Sequence, residues 1–277
     1  MNRSTFHYQQ HRHPSNRELR RILLADTIKE LHAASRGTYG MRRIQASLLH
    51  DRGLIVNKKL VRKIMNEECI SGLPLHRKGR RNLKNVATSE DLVNRDFTAA
   101  MPDQLWLTDV TEHKTREGTL YCCVVLDMCS RRIVGWAIDR RNDAVLANDA
   151  LAMAARSRSS SPRTILHSDH GSGFTSWTFT QSLKHHKLLG SMGTVGDCFD
   201  NAPMESFWGS MQIELLNRKK WMTFVELATA MADYIENFYN PSRRHSSLNY
   251  LTPDEFEALA FSTSIKRQAG TLTGVAQ

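Results

Sequence analysis

The sequence predicts an α/β chain: a mixed five-stranded sheet flanked by helices, preceded by a small all-α domain. Three observations carry that expectation. Apolar residues recur at helical spacing through roughly the first seventy positions. From Gln104 onward, three runs of strand-like composition follow one another, separated by short turns. Beyond them helical and strand-like runs alternate as far as Phe238.

Residues 1–16 are polar and rich in His and Arg, and read as a flexible lead-in. A helix is expected over 17–35, where Leu19, Ile22, Leu23, Ala25, Ile28 and Leu31 recur at its period. The stretch 36–40, with Gly37 and Gly40, breaks it. A second helix fits 41–50, with Ile44, Leu48 and Leu49 on one face. Gly53 makes a turn and Asn57 an N-cap. A third helix over 58–68 follows, with Leu60, Val61, Ile64 and Met65 on its apolar face and Lys58, Lys59, Arg62 and Lys63 pointing elsewhere. Three short helices with a basic last one resemble a helix-turn-helix, assigned to 17–75; a small bundle with a basic surface is the alternative. Residues 76–100 read as a basic linker, with the cluster 76–81 suited either to a phosphate backbone or to a solvated tether.

The strands are expected over 104–113, 120–128 and 133–138, with turns at Glu117-Gly118 and 130–132. An Ala- and Leu-rich helix follows over 143–156, then a strand over 164–168, a helix over 176–187 and a short strand over 188–192. Asp200 or Asn201 caps the next helix, Pro203 suits its first turn, and Met204, Phe207, Trp208, Met211 and Leu215 form its stripe. A last long helix covers 224–238, so the core with its C-terminal helices is assigned to 101–261, and 262–277 reads as a disordered tail. The five Trp residues, at 106, 136, 177, 208 and 221, are expected in the core rather than as base-stacking platforms.

Charge divides the chain. Residues 1–100 hold 20 Lys and Arg against 9 Asp and Glu, while the remainder holds 18 against 19. The whole excess of the +10 net charge thus lies in the first third, which suits one part that holds a polyanion and another that acts on it. Five Cys without a Cys-x-x-Cys pair exclude a disulfide framework and a structural zinc site, and point to a reducing, cytoplasmic setting. The longest apolar run, 120–126, is too short to span a membrane.

Three carboxylates carry the chemistry: Asp109 in Gln104-Leu-Trp-Leu-Thr-Asp-Val-Thr-Glu-His113, Asp169 in Ile165-Leu-His-Ser-Asp-His-Gly-Ser-Gly-Phe174, and Glu205 in Asp200-Asn-Ala-Pro-Met-Glu-Ser-Phe-Trp208. On this outline Asp109 lies on the first, central strand, Asp169 ends the fourth beside it, and Glu205 lies in the first turn of a helix. Gathered together they would repel strongly without cations, and Mg²⁺ takes a few carboxylate oxygens plus substrate phosphate. Each alone has a plainer reading, as a strand-end hydrogen-bonding group, a turn residue and a helix-dipole complement. His167 and His170 flank Asp169 and either orient its loop or ligate. Asp127 suits a strand-end turn and is left outside the triad.

The three blocks resemble the catalytic segments of DDE transposases and integrases, and most closely the second-reading-frame (OrfB) transposase of the IS-three group of insertion sequences, whose catalytic core is like that of retroviral integrases. Leu126-Asp-Met-Cys-Ser-Arg-Arg-Ile-Val-Gly-Trp136 is similar to that group's second and third strands, Thr38-Tyr-Gly-Met-Arg-Arg-Ile44 to its helix-turn-helix block, and Tyr239-Asn-Pro-Ser-Arg-Arg-His-Ser-Ser-Leu-Asn249 with Leu251-Thr-Pro253 to its C-terminal segment. The resemblance runs over roughly 17–258. It implies an RNase H-like core in which Asp109, Asp169 and Glu205 bind two Mg²⁺ or Mn²⁺ ions. It also implies cleavage at element ends by water and strand transfer by the freed 3′-hydroxyl, typically giving a circularised element that later inserts. The implied partners are double-stranded DNA, at element ends and target, a first-reading-frame product as fusion or partner, and further copies of the chain on DNA. No membrane partner is expected, and the setting is the bacterial cytoplasm, at the nucleoid. The residues expected to contact DNA are Arg42, Arg43, Lys58, Lys59, Arg62, Lys63, Arg243 and Arg244. One departure stands out: the group usually has Arg-Gly-Ser-Gln after the second Asp, and here the stretch is His170-Gly-Ser-Gly173. A non-catalytic DNA-binding regulator would explain the basic first third but not the carboxylate blocks. A nuclease that cuts without joining would share the metal site.

Overall fold

The computed structural model describes residues 13–74, 99–158, 164–192 and 202–273, the last ten as backbone only. Most of the expected lead-in, the basic cluster 76–81 and the Asp200/Asn201 cap lie outside the described residues. The chain divides into two compact units, Met1–Pro74 and Leu75–Gln277.

The first unit holds three helices: α1 (Asn16–Ala34), α2 (Met41–Arg52) and α3 (Lys58–Glu67). A capping box opens α1. The Ser15 hydroxyl accepts from the Glu18 N–H (3.3 Å), and the Glu18 carboxylate accepts from the Ser15 N–H (2.7 Å). Gly53 ends α2 in the left-handed region (φ 64°), which glycine enters without a Cβ clash. The Asn57 side chain caps α3 by accepting from the Lys59 N–H at 2.8 Å. The core of this unit is Leu24, Ile28, Leu31, Ile44, Leu48, Val61, Ile64 and Met65. Leu19, Ile22, Leu23, Leu49 and Leu60, expected on inward faces, are exposed instead. Three helices bury only one stripe each, and Leu23 and Leu60 border an open cleft of about 520 Å³ beside Leu54 and Ile55.

The second unit is built on one sheet in the order β3-β2-β1-β4-β5. Its strands are β1 (Leu105–Thr115), β2 (Gly118–Asp127), β3 (Ile133–Asp139), β4 (Ile165–Ser168) and β5 (Leu189–Met192). The first three form an antiparallel meander, and β4 and β5 add in parallel beyond β1. On one face lie α4 (Ala144–Ser157) and α5 (Trp177–His185). Their Leu146, Ala150, Leu151, Ala154, Phe179 and Leu183 cover Trp106, Val125 and Val134 of the sheet. The helix approaches closely at Gly135, where a Cβ would stand 2.3 Å from the Ala150 carbonyl oxygen and 2.6 Å from the Ala154 nitrogen.

The other helices are α6 (Ala202–Glu214), α7 (Phe224–Tyr234) and α8 (Pro253–Thr273). The helix expected over 224–238 does not stop at Phe238. It widens into a π-turn over Ile235–Tyr239 and runs on as a helical turn, Asn240–Ser242. This brings the Asn240 side chain to the backbone of Ile133 on edge strand β3, accepting from its N–H at 2.9 Å and donating to its carbonyl at 3.0 Å. The tail expected to be disordered from 262 is helical as far as Thr273. A Thr252/Glu255 capping box nucleates α8. Between Pro253 and Thr273 only Gly270 carries a large helix-propensity penalty, so the helix runs on. No described helix is long and apolar enough to cross a membrane.

Candidate active site

The register of β1 and β4 sets the site. Leu105, Trp106 and Leu107 pair with Ile165, Leu166 and His167. Asp109 lies two residues beyond the last paired position of β1, and Asp169 two residues beyond its partner, just past the end of β4. Both carboxylates line a pocket of about 100 Å³, shared with Asn142 and Asp143 before α4 and with the Gly171–Phe174 loop.

Asp109 is half-buried. Its Oδ1 accepts from the Val110 N–H at 2.8 Å, and its Oδ2 accepts from the Trp208 indole N–H at 3.1 Å. Burial pushes its carboxyl up to about 6, and the negative charges of Asp169 and Glu205 push the same way, against those two hydrogen bonds. Asp169 is exposed, and its Oδ1 accepts from the Gly171 N–H at 2.9 Å. A Cβ at Gly171 would stand 2.9 Å from that oxygen, so any larger residue there would make the Asp169 carboxylate shift.

Glu205 sits in the first turn of α6 and is exposed. Its charge reaches Asp109, but it does not line the pocket. Among the described residues no three His, Cys, Asp or Glu side chains lie close enough together to hold a metal as they stand. None of the three carboxylates has a Lys or Arg partner within 4.0 Å among the described residues either. Two oxygen-donor carboxylates lining one pocket, unneutralised and with the Asp109 carboxyl raised by burial and by its acidic neighbours, suit a hard divalent cation.

His167 is buried, with its Nδ1 3.1 Å from the Ser191 hydroxyl, and so ties β4 to β5. The His170 Nε2 is buried without a hydrogen-bond partner among the described residues. Asp127 is fully buried and accepts from the Asp103 N–H, the Ser130 N–H and the Ser130 hydroxyl at 2.7–2.9 Å, as a turn-forming residue does. At Gly173 a Cβ would stand 3.3 Å from the Asp143 carbonyl oxygen, so a glycine there lets the loop press against the start of α4.

Comparison with known proteins identifies the chain. Residues 18–78 match the family described as HTH-like domain, and residues 99–198 and 187–253 match two families described as integrase core domain. The transposase for insertion sequence element IS904 of Lactococcus lactis is 36% identical over 254 residues, 89% of this chain and 98% of its own length. A 31 kDa protein of insertion element IS600 from Shigella sonnei is 34% identical across 91% of this chain and 92% of its own. The chain belongs to the IS3 family of insertion-sequence transposases. That family is one of DDE polynucleotidyl transferases. Transposase InsF of Escherichia coli is 40% identical over 172 residues, 62% of this chain and 60% of its own. Among solved structures, the magnesium-bound catalytic core of HTLV-2 integrase aligns at 15% identity and a TM-score of 0.42, over 58% of this chain and 98% of that one.

In this transposase the expected DNA contacts fall into two groups. Arg42, Lys58, Lys59, Arg62 and Lys63 are exposed, and Arg43 is half-buried with its guanidinium 5.5 Å from the Tyr39 ring centroid. Arg243 and Arg244 are not surface contacts; both are buried. Arg243 donates to both oxygens of buried Glu214 at 2.8 and 2.9 Å and to the Ser210 hydroxyl at 2.8 Å, while Tyr234 donates to the same carboxylate. Arg244 donates to the Tyr250 carbonyl and to Glu255. A basic dipeptide after a helix reads as surface in sequence, and its acidic partners are 29 and 11 residues away.

Two contributors give little sign of themselves in the sequence. Trp208, placed in an apolar stripe, lies three residues after Glu205 and so shares its helix face, which is the available signal. Asn142 carries no signal of its own. The expectation of five core Trp residues fails at Trp177, which is 73% exposed at the start of α5; Trp106 and Trp221 are buried.

Proposed function

We propose that this transposase cuts DNA at the ends of its element and joins the freed 3′-hydroxyl to a target phosphodiester, with Asp109, Asp169 and Glu205 as the ligands of two Mg²⁺ or Mn²⁺ ions. One observation carries the reading: two unneutralised carboxylates, one on β1 and one just past the end of its parallel neighbour β4, line one pocket. Divalent cations held there would supply activation of the attacking oxygen and charge stabilisation at the leaving one.

The chain's own groups orient the ligands. The Val110 N–H and Trp208 indole fix Asp109, and the Gly171 N–H fixes Asp169. Glu205 would join them from α6, whose face it shares with Trp208. Cleavage forms one P–O bond to water oxygen and breaks one P–O3′ bond. Joining forms one to the 3′-hydroxyl and breaks one in the target, so no added energy source is needed. The exposed cations of α3, with Arg42 and Arg43 of α2, are the proposed seat for double-stranded DNA. A first-reading-frame product and further copies of the chain are the proposed protein partners.

The test is strand cleavage and joining on labelled DNA from the element's own ends with Mn²⁺, comparing the chain with Asp109→Asn and Glu205→Gln. Metal-dependent joined strands that vanish in both variants are the expected outcome. Cleavage that survives both substitutions would sink the triad. Cut strands that are never joined, even from pre-cut ends, would favour the nuclease reading.

A further inference from the structure

Outside the pocket the catalytic unit carries a basic patch gathered from separated stretches of chain. The β1–β2 turn contributes Arg116, the β3–α4 connection Arg140 and Arg141, and the turn before α7 Lys219 and Lys220; all five are exposed. Two aromatic side chains organise them. The Arg140 guanidinium lies 4.3 Å from the centroid of the Phe224 ring, and the Lys219 ammonium 4.5 Å from that of Trp221. The backbone locks the arrangement. The Arg116 N–H donates to the Trp221 carbonyl at 3.2 Å, and the Phe224 N–H donates to the Glu117 carboxylate at 2.7 Å. Gly118, at φ 136°, lets the turn press on the Phe224 ring, which a Cβ would meet at 3.2 Å.

The acids nearby engage only part of this charge. Lys219 pairs with Glu226 at 2.6 Å, and Arg141 lies 3.6 Å from Asp143 and 4.0 Å from Asp139. Arg116, Arg140 and Lys220 have no acidic partner within 4.0 Å among the described residues. The patch also adjoins the site, since Arg140 and Arg141 run directly into Asn142 and Asp143 of the pocket wall. Residues 101–277, which carry it, hold 18 Lys and Arg against 19 Asp and Glu, so the local excess is a matter of placement.

We infer that this patch is a second DNA-binding surface, which grips the phosphate backbone of the duplex next to the scissile bond by charge and without reading sequence. The inference rests on the strand-transfer reading, which puts DNA at the neighbouring pocket. Stacked cations converging from distant stretches suit a polyanion with regularly spaced charge.

The experiment uses the full chain and an arbitrary labelled duplex of about 30 base pairs, with affinity measured across NaCl concentration. Removing one phosphate-binding cation lowers the slope of log K against log[salt] by about 0.9. Arg116→Gln with Lys220→Gln, both exposed and outside the aromatic stacks, should lower it by about 2. The drop in affinity between about 50 and 200 mM NaCl should then shrink roughly tenfold relative to the unsubstituted chain. Lys220→Glu provides a single-site variant with the same expected direction. An unchanged slope in folded variants overturns the inference and leaves a solvated face or a seat for an acidic polypeptide. If the slope falls while cleavage survives Asp109→Asn, the patch stands and the triad fails. If Asp109→Asn abolishes cleavage and the slope does not move, the triad stands and the patch fails.

Discussion

Arg243 is where a residue-by-residue reading of this chain goes furthest astray and where the structure gives the sharpest prediction. Its guanidinium is buried against Glu214, Ser210 and the Tyr239 ring, and the pairing with Glu214 holds its proton more tightly than usual despite burial. Truncation would leave the Glu214 carboxylate buried without its cation, although the Tyr234 hydroxyl would still donate to it. Arg243→Ala should therefore cost about 3–5 kcal/mol, a fall in Tm on the order of 10 °C for a unit of this size, measured by thermal unfolding. Arg243→Met combined with Glu214→Met removes both charges and should recover part of that loss; equal losses in the single and double variants would show that the pair itself is not what matters. The three candidate carboxylates stand out in the sequence because each sits in its own distinctive block. Their geometry was legible only in part. The approach of Asp109 and Asp169 follows from strand order, but only the spacing of Trp208 from Glu205 hinted at the indole that holds Asp109, and nothing in the sequence showed that Glu205 would stand outside the pocket wall.

At the scale of elements, small residues decide how closely layers approach. Gly135→Ala would drive a Cβ into the backbone of α4 at Ala150 and Ala154, atoms that no rotamer change can move aside. Overpacking of that kind should destabilise the second unit by about 1–3 kcal/mol or more, read as a lower denaturant midpoint. Asn57→Ala is milder. It removes one cap bond at the start of α3 and should cost about 1 kcal/mol, seen in the unfolding of the first unit. The elements themselves were largely readable, because caps and periodicity are local signals: Asn57 and Gly53 fall at helix ends as expected, and Asp143 caps α4 through the Val145 and Leu146 N–H groups. What was not readable depends on distant partners. The π-turn at Ile235–Tyr239 lets Asn240 reach Ile133, a contact across 107 residues. Helix α8 is hidden for a different reason. Thr252 and Glu255 announce its start, but the polar stretch after Phe261 looks unstructured on composition alone.

For the whole molecule, the uneven charge and the placement of the carboxylates argue for two separable tasks. The cations of α3 lie in the first unit and Asp109 and Asp169 in the second. Substitution in one should therefore spare the other's task. Lys59→Gln with Arg62→Gln should weaken binding to duplex DNA and flatten its salt dependence by about 2 in slope. The same double variant should keep the rise in Tm that Mn²⁺ gives the unsubstituted chain, because a ligand that binds only the folded state stabilises it by mass action. Asp109→Asn should do the converse, keeping DNA affinity and losing the Mn²⁺-dependent rise. The pair of measurements, salt-dependent binding and metal-dependent unfolding, forms a two-by-two test. If Asp109→Asn still gained the full Mn²⁺ stabilisation, the metal would bind elsewhere and the pocket between β1 and β4 would lose its proposed role. If the α3 variant bound DNA as tightly as the unsubstituted chain at every salt concentration, the helix-turn-helix surface would lose its own, and the basic patch around Phe224 and Trp221 would become the principal DNA contact.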